Sequence, residues 1–155
     1  MNGIEKLAHK ITARFGSNSP FCLCDCMGIY VHRLDLPKQV RGFCFRTETN
    51  QPVIVLQETL SKTESGYCCA HELGHLLLHP ELNAQVIADL TYLCGPRYER
   101  EADLFAACLL IDPNLNEWAA TYHPLTQEQI VQLTGLPQHV VGLRFESSEF
   151  RQHTS

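Results

Sequence analysis

No stretch of this chain approaches the roughly 20 consecutive apolar residues that a membrane span needs. The opening MNGIEKLAHKITARFG has no continuous apolar core of the kind a signal peptide carries. Instead, Ile4, Leu7, Ala8, Ile11 and Phe15 fall at helical spacing among charges. A soluble, cytoplasmic protein is expected. Positive charge is also scarce. Twelve Lys and Arg against 17 Asp and Glu leave a net charge of −5, which argues against binding along a phosphate backbone and favours protein or peptide partners. Repeats, low-complexity tracts and linkers are absent, so residues 1–155 read as a single domain, large enough to bury a core without a disulfide or structural metal. What the sequence does have is eight cysteines. Without an export signal these read as reduced thiols, either packed in the core or bound to metal.

Ser19 before Pro20 is an N-cap followed by a proline suited to the first helical turn, which predicts a short helix over residues 20–27. Within it Cys22, Cys24 and Cys26 are each turned about 200° from the last, so they cannot converge on one ion and are expected to be small buried side chains. The β-branched and aromatic runs at 28–36, 41–47 and 51–57 predict three strands of a small sheet. Ser61 with Glu64 offers a capping box, and Pro80 a stop, for one helix over residues 62–79. A second long helix is predicted over 97–111, and a shorter one within NLNEWAATY. Residues 124–146 hold two short apolar-periodic segments around Gly135 and Pro137, with Thr126 and Gln129 placed as a capping box. That pattern is the size of a helix–turn–helix, but with so few cations it predicts packing rather than base reading. The last residues, SSEFRQHTS, are expected to fray.

The predicted helix over 62–79 contains GYCCAHELGHLLLHP. His71, Glu72 and His75 form H-E-x-x-H. Residues four apart on a helix share a face, with Cβ atoms roughly 5–6 Å apart, so both imidazoles can reach one Zn²⁺. Glu72 sits about 100° around the helix from His71, too far to join as a ligand but placed to hold a water on the metal and take its proton. A chance match is the bland reading of three fixed positions. Against it stand the capped helix of suitable length, the apolar run after the motif and a second helix rich in acids.

A hydrolytic zinc site needs a third protein ligand and leaves a fourth position for water. His79, Cys68, Glu99 and Glu101 are the candidates. His79 continues the i+4 series but lies near the helix end, where capping or solvent contact is expected. Cys68 and Cys69 are expected to pack. The metzincin glycine and third histidine are absent. Glu99, Ala102, Asp103 and Ala106 share one helical face with two small contacts, and that face can press against the His71/His75 helix. Glu99 then binds metal while Asp103 orients a ligand imidazole. Glu101, about 200° away from Glu99, is expected to face elsewhere, among Leu104, Phe105 and Cys108. Tyr92, Tyr98, Tyr122 and His123 are open as stabilisers of the oxyanion.

AHELGHLLLH (70–79) and EREADLFAACLL (99–110), with SNSPF, MGIYV, DLP, GF and PVIVL in order upstream, resemble the ImmA/IrrE metallopeptidases of bacteria and their mobile elements. The resemblance runs from about residue 4 to 113, and the LTQEQIVQLTGLP tail is similar to the family's frequent C-terminal helices. It implies a gluzincin-like site with His71, His75 and Glu99 as zinc ligands and Glu72 as base. It also implies a regulatory protease, often one that cleaves a helix–turn–helix repressor. The expected architecture is α+β and zincin-like, a small sheet packed against the H-E-x-x-H helix with further helices C-terminal to it. Two other functions stay open: a non-proteolytic regulator that binds a transcription factor and keeps zinc for shape, and a DNA-contacting module built on residues 126–145.

Overall fold

A computed structural model describes residues 3–81, 96–111 and 125–147, and element labels below count the elements within those ranges. The chain begins with helix α1 (Gly3–Phe15) and the short helix α2 (Pro20–Cys26). Ser19 caps α2 by accepting the Cys22 N–H at 3.4 Å. Strands β1 (Tyr30–Leu34), β2 (Gly42–Arg46) and β3 (Pro52–Gln57) follow, as the β-branched runs predict.

The three strands form a sheet of order β1-β3-β2. β1 runs parallel to β3, with Tyr30 opposite Val53 and Leu34 opposite Gln57. β2 runs antiparallel, with Gly42 opposite Leu56 and Arg46 opposite Pro52. The central β3 is buried from Val53 to Gln57, which is why it reads as a continuous apolar run rather than an alternating one. Its one polar end is satisfied. Gln57 donates to the Leu36 carbonyl at 2.6 Å and accepts the Leu36 N–H at 3.1 Å, tying down the DLP turn.

Helix α3 (Lys62–Leu78) starts where Ser61 accepts the Glu64 N–H at 3.2 Å. It packs across the sheet and against helix α4 (Pro96–Leu110). The main core joins Leu23, Ile54, Leu56, Leu73, Phe105 and Ala106, among others. Helices α5 (Gln127–Thr134) and α6 (Gln138–Glu146) make a hairpin. The capping box of Thr126 and Gln129 is present, and Gly135 closes α5 in the left-handed conformation at φ 71°. The hairpin's apolar residues are used in packing: Ile130, Leu136, Val140 and Val141 cover Ala107 of α4 and Ile111 just after it. Arg144, also buried, donates to the Ile111 carbonyl at 3.2 Å and to Ser147 Oγ at 3.0 Å. The architecture is therefore mixed α+β. The helix expected within NLNEWAATY and nearly all of the frayed tail lie outside the described residues.

The cysteine expectation needs one correction. Cys24 is buried, with its sulfur 3.9 Å from that of Cys69, but Cys22 and Cys26 are exposed. The reason is the helical period, which turns Cys24 away from the other two. With Leu23 and Cys24 turned inward, residues at positions i and i+4 of a two-turn helix share the outer face. Cys68 and Cys69 are buried, as expected.

Candidate metal centre

The centre forms where α3 and α4 come closest. Gly74 lies on α3 against Ala102 of α4, and a Cβ built on Gly74 falls 3.3 Å from both the Ala102 Cα and its carbonyl oxygen. Ala102 and Ala106 have no exposed surface. Small residues on both helices thus let the backbones approach, and side chains flanking the contact meet across it. Ala102 and Ala106 are legible in the sequence as a close-packing face; Gly74, their partner, was signalled only by being a glycine inside a helix.

Around this contact α3 presents Tyr67, His71, His75 and His79, one turn apart. The rings of His71 and His75 lie edge to face, with centroids 4.8 Å apart. Their Nε2 atoms both point at one carboxylate: His71 Nε2 is 3.1 Å from Glu99 Oε2, and His75 Nε2 is 3.0 Å from Glu99 Oε1. One donor atom from each of the three residues can be chosen so that all lie within 4.8 Å of one another. Tetrahedral arms of about 2.0–2.1 Å put ligand atoms about 3.3 Å apart, close to the separations found. The remaining ring nitrogens are occupied. His71 Nδ1 is 2.8 Å from Asp103 Oδ1, and His75 Nδ1 is 3.0 Å from His79 Nδ1. Asp103, named from sequence as the residue that orients an imidazole, does contact one.

Charge at the centre points the same way. Burial opposes a proton on His71, yet the hydrogen bonds to Asp103 and Glu99 outweigh it and raise its pKa to about 10. The hydrogen bonds to His71 and His75 hold the Glu99 carboxyl far below the usual range. The arrangement thus favours positive charge where the two Nε2 atoms and the Glu99 oxygens converge, and the two imidazoles, once deprotonated at Nε2, would with one carboxylate suit a divalent ion of zinc's character.

Glu72 faces the sheet side of the same cleft. Burial raises its pKa, partly offset by His71 and His75, and the carboxylate accepts a hydrogen bond from the Cys44 thiol of β2. Cys44 is buried, and burial together with Glu72 pushes its own pKa up, so the thiol stays a donor.

The sequence reading differs from the structure at two places. Of the two roles expected for His79, capping holds and solvent contact does not. It is 2 % exposed, its backbone N–H bonds the His75 carbonyl at 2.9 Å, and its ring bridges His75 and Glu101. Glu101, in turn, does not face away from α3. Glu101 Oε2 lies 3.0 Å from His79 Nε2, because His79 sits a full turn beyond His75 and so meets a different part of α4. Both acids reach α3, Glu99 at His71 and His75, Glu101 at His79.

Besides Cys44, two contributors were missed. The Tyr67 hydroxyl donates to Asp103 Oδ1; its position four residues before His71 was a usable signal. His139 of α6 places Nε2 3.1 Å from Asp103 Oδ2, a contact across 36 residues that no local pattern announces. Of the four oxyanion possibilities, Tyr98 packs its ring edge-on against His79 at 4.6 Å; Tyr92, Tyr122 and His123 lie outside the described residues.

Comparison with known proteins adds an independent observation. The family model described as a peptidase, IrrE N-terminal-like domain, matches residues 24–146. Metallopeptidase ImmA of Bacillus subtilis strain 168 is 30% identical over 144 residues, covering 92% of this chain and 83% of that protein. Uncharacterized immunity region protein 2 of Bacillus phage phi105 is 26% identical over 144 residues, covering 91% of this chain and 88% of that one.

Proposed function

Because the chain belongs to the ImmA/IrrE family of metallopeptidases, we propose that it is a zinc-dependent endopeptidase that hydrolyses a peptide bond in a regulatory protein. The single observation carrying this is the convergence of His71, His75 and Glu99 on one point, with Glu72 half-buried beside the two histidines on their helix. The fold is read as zincin-like, with the H-E-x-x-H helix laid on the small sheet and the C-terminal hairpin part of the same domain.

In this reading His71, His75 and Glu99 hold the ion, which when bound supplies Lewis acidity toward the scissile carbonyl and toward a water. Glu72 accepts that water's proton and returns it to the leaving amine. A carboxyl raised by burial is better suited to both halves of that shuttle than an ordinary solvated one. The Cys44 thiol holds the Glu72 carboxylate from the β2 side, and Asp103 holds the His71 ring. The substrate is a protein. A helix–turn–helix repressor of a mobile element or stress response is the favoured target, supported by the names of the relatives, a metallopeptidase and an immunity-region protein.

The test is to mix the zinc-loaded protein with the repressor encoded nearest to it and follow both by intact mass. A pair of fragments whose masses sum to the repressor plus one water, formed by wild type and not by Glu72→Gln, supports the reading. An uncleaved repressor that nevertheless binds the protein supports a non-proteolytic anti-repressor instead.

A further inference from the structure

Each of the two histidines in the candidate ligand set must offer a lone pair at Nε2, which requires its proton to sit on Nδ1. For His71 the device is direct: Nδ1–H donates to Asp103. For His75 the neighbour at Nδ1 is another imidazole, and this pairing constrains the protons on both rings. Two facing Nδ1 atoms 3.0 Å apart must be one donor and one acceptor.

The far side of His79 resolves which is which. His79 Nε2 lies 3.0 Å from Glu101 Oε2, and a carboxylate only accepts. His79 therefore carries its proton on Nε2 and presents a lone pair at Nδ1. His75 must then donate from Nδ1, so the proton that its Nε2 shares with Glu99 in the ion-free centre is the one a bound ion would replace. The opposite assignment would put the His75 proton on Nε2, where the metal has to bind. Glu101 is itself held, since Arg97 Nε donates to its other oxygen at 2.9 Å. His79 is fixed by burial and by the ring of Tyr98.

We propose that His79 is a positioning residue for the metal centre: backed by Glu101, it locks His75 in the tautomer and orientation that bind the ion, through a relay from Glu101 to His79 to His75. This goes beyond the ligand set and rests on it. It also accounts for the otherwise odd burial of a polar ring at the end of α3. The backbone cap made by His79 does not depend on its side chain, so substitutions there leave the helix end intact.

The experiment measures zinc affinity of the full chain by chelator competition, alongside melting of the metal-free protein and a ¹H–¹⁵N histidine spectrum of the loaded form. His79→Ala should bind zinc about 10–100-fold more weakly, the range for loss of a group that orients a ligand, and should lose the His75 Nδ1–H signal. His79→Asn places an amide oxygen near the lost acceptor and should recover much of that affinity. Glu101→Ala should weaken binding in the wild-type background and add little when combined with His79→Ala, because both act along one path. Wild-type affinity in His79→Ala, full additivity of the double variant, or a His79→Asn no better than His79→Ala would each overturn the relay. A His75→Ala protein that keeps its zinc would instead show that the underlying ligand assignment is wrong.

Discussion

The closeness of α3 and α4 can be tested with two glycines of the same helix. At Gly66 a Cβ would meet nothing within 4 Å, whereas at Gly74 it would meet Phe105 Cδ1 at 3.2 Å and the Ala102 backbone at 3.3 Å. In a helix interior Ala is favoured over Gly by about 0.8–1 kcal/mol. Gly66→Ala should show most of that gain, a rise of about 2–4 °C in melting temperature for a chain of this size. Gly74→Ala has the same intrinsic gain, but two of the three atoms it meets are backbone and cannot rotate away. Overpacking typically costs about 1–3 kcal/mol, so the net change should be zero to about 2 kcal/mol destabilising. Relief requires α4 to move outward, which carries Glu99 away from His71 and His75. Gly74→Ala should therefore lose zinc affinity even where it remains folded, while Gly66→Ala should not. Thermal melts of the metal-free proteins and chelator competition on the loaded ones read both effects. A Gly74→Ala protein as stabilised as Gly66→Ala, with undiminished zinc affinity, would refute the argument that this contact sets the centre's geometry.

Other expectations concern single residues. Glu72→Gln should retain zinc and lose hydrolysis by about 10²–10⁴-fold or more; cleavage at the wild-type rate would remove the general base from the account. Glu99→Ala should come out of purification nearly empty of metal, while Glu101→Ala should hold it more weakly than wild type but still load when zinc is supplied. The reverse order would reassign the third ligand. The exposed Cys22→Ser/Cys26→Ser pair should keep one zinc per chain and change stability by no more than about 0.5 kcal/mol. A second zinc in wild type that this variant lacks would make those thiols a metal site. Asp103→Ala should lower zinc affinity more than His139→Ala, since only the former removes the acceptor at His71 Nδ1.

Where a signal was local, the sequence carried it. The caps at Ser19, Ser61 and Thr126 and the apolar runs of the strands locate the elements to within a residue or two, because each depends on neighbours along the chain. The pairing of His71 with His75 follows from helical period alone. Glu99 was reachable because its small companions, Ala102 and Ala106, announced a close-packed face. His79 caps α3, as the sequence allowed, but its ring contact with Glu101 was missed because helical angle about α4 was treated as if α3 met it at one point. Two long helices in contact meet along a line, so acids on different sides of α4 can each find a histidine at a different turn of α3. Cys44 and His139 enter the site from β2 and α6, and a contact between distant segments leaves no trace in local spacing.

The most direct measurement is X-ray absorption at the zinc edge on the loaded, reduced protein, because a chain with eight cysteines offers abundant competing ligands. The account predicts a shell of nitrogen and oxygen only, at about 2.0–2.2 Å, with imidazole scattering from two histidines and no sulfur. A zinc–sulfur distance near 2.3 Å would contradict it, placing the metal on thiols rather than on His71, His75 and Glu99.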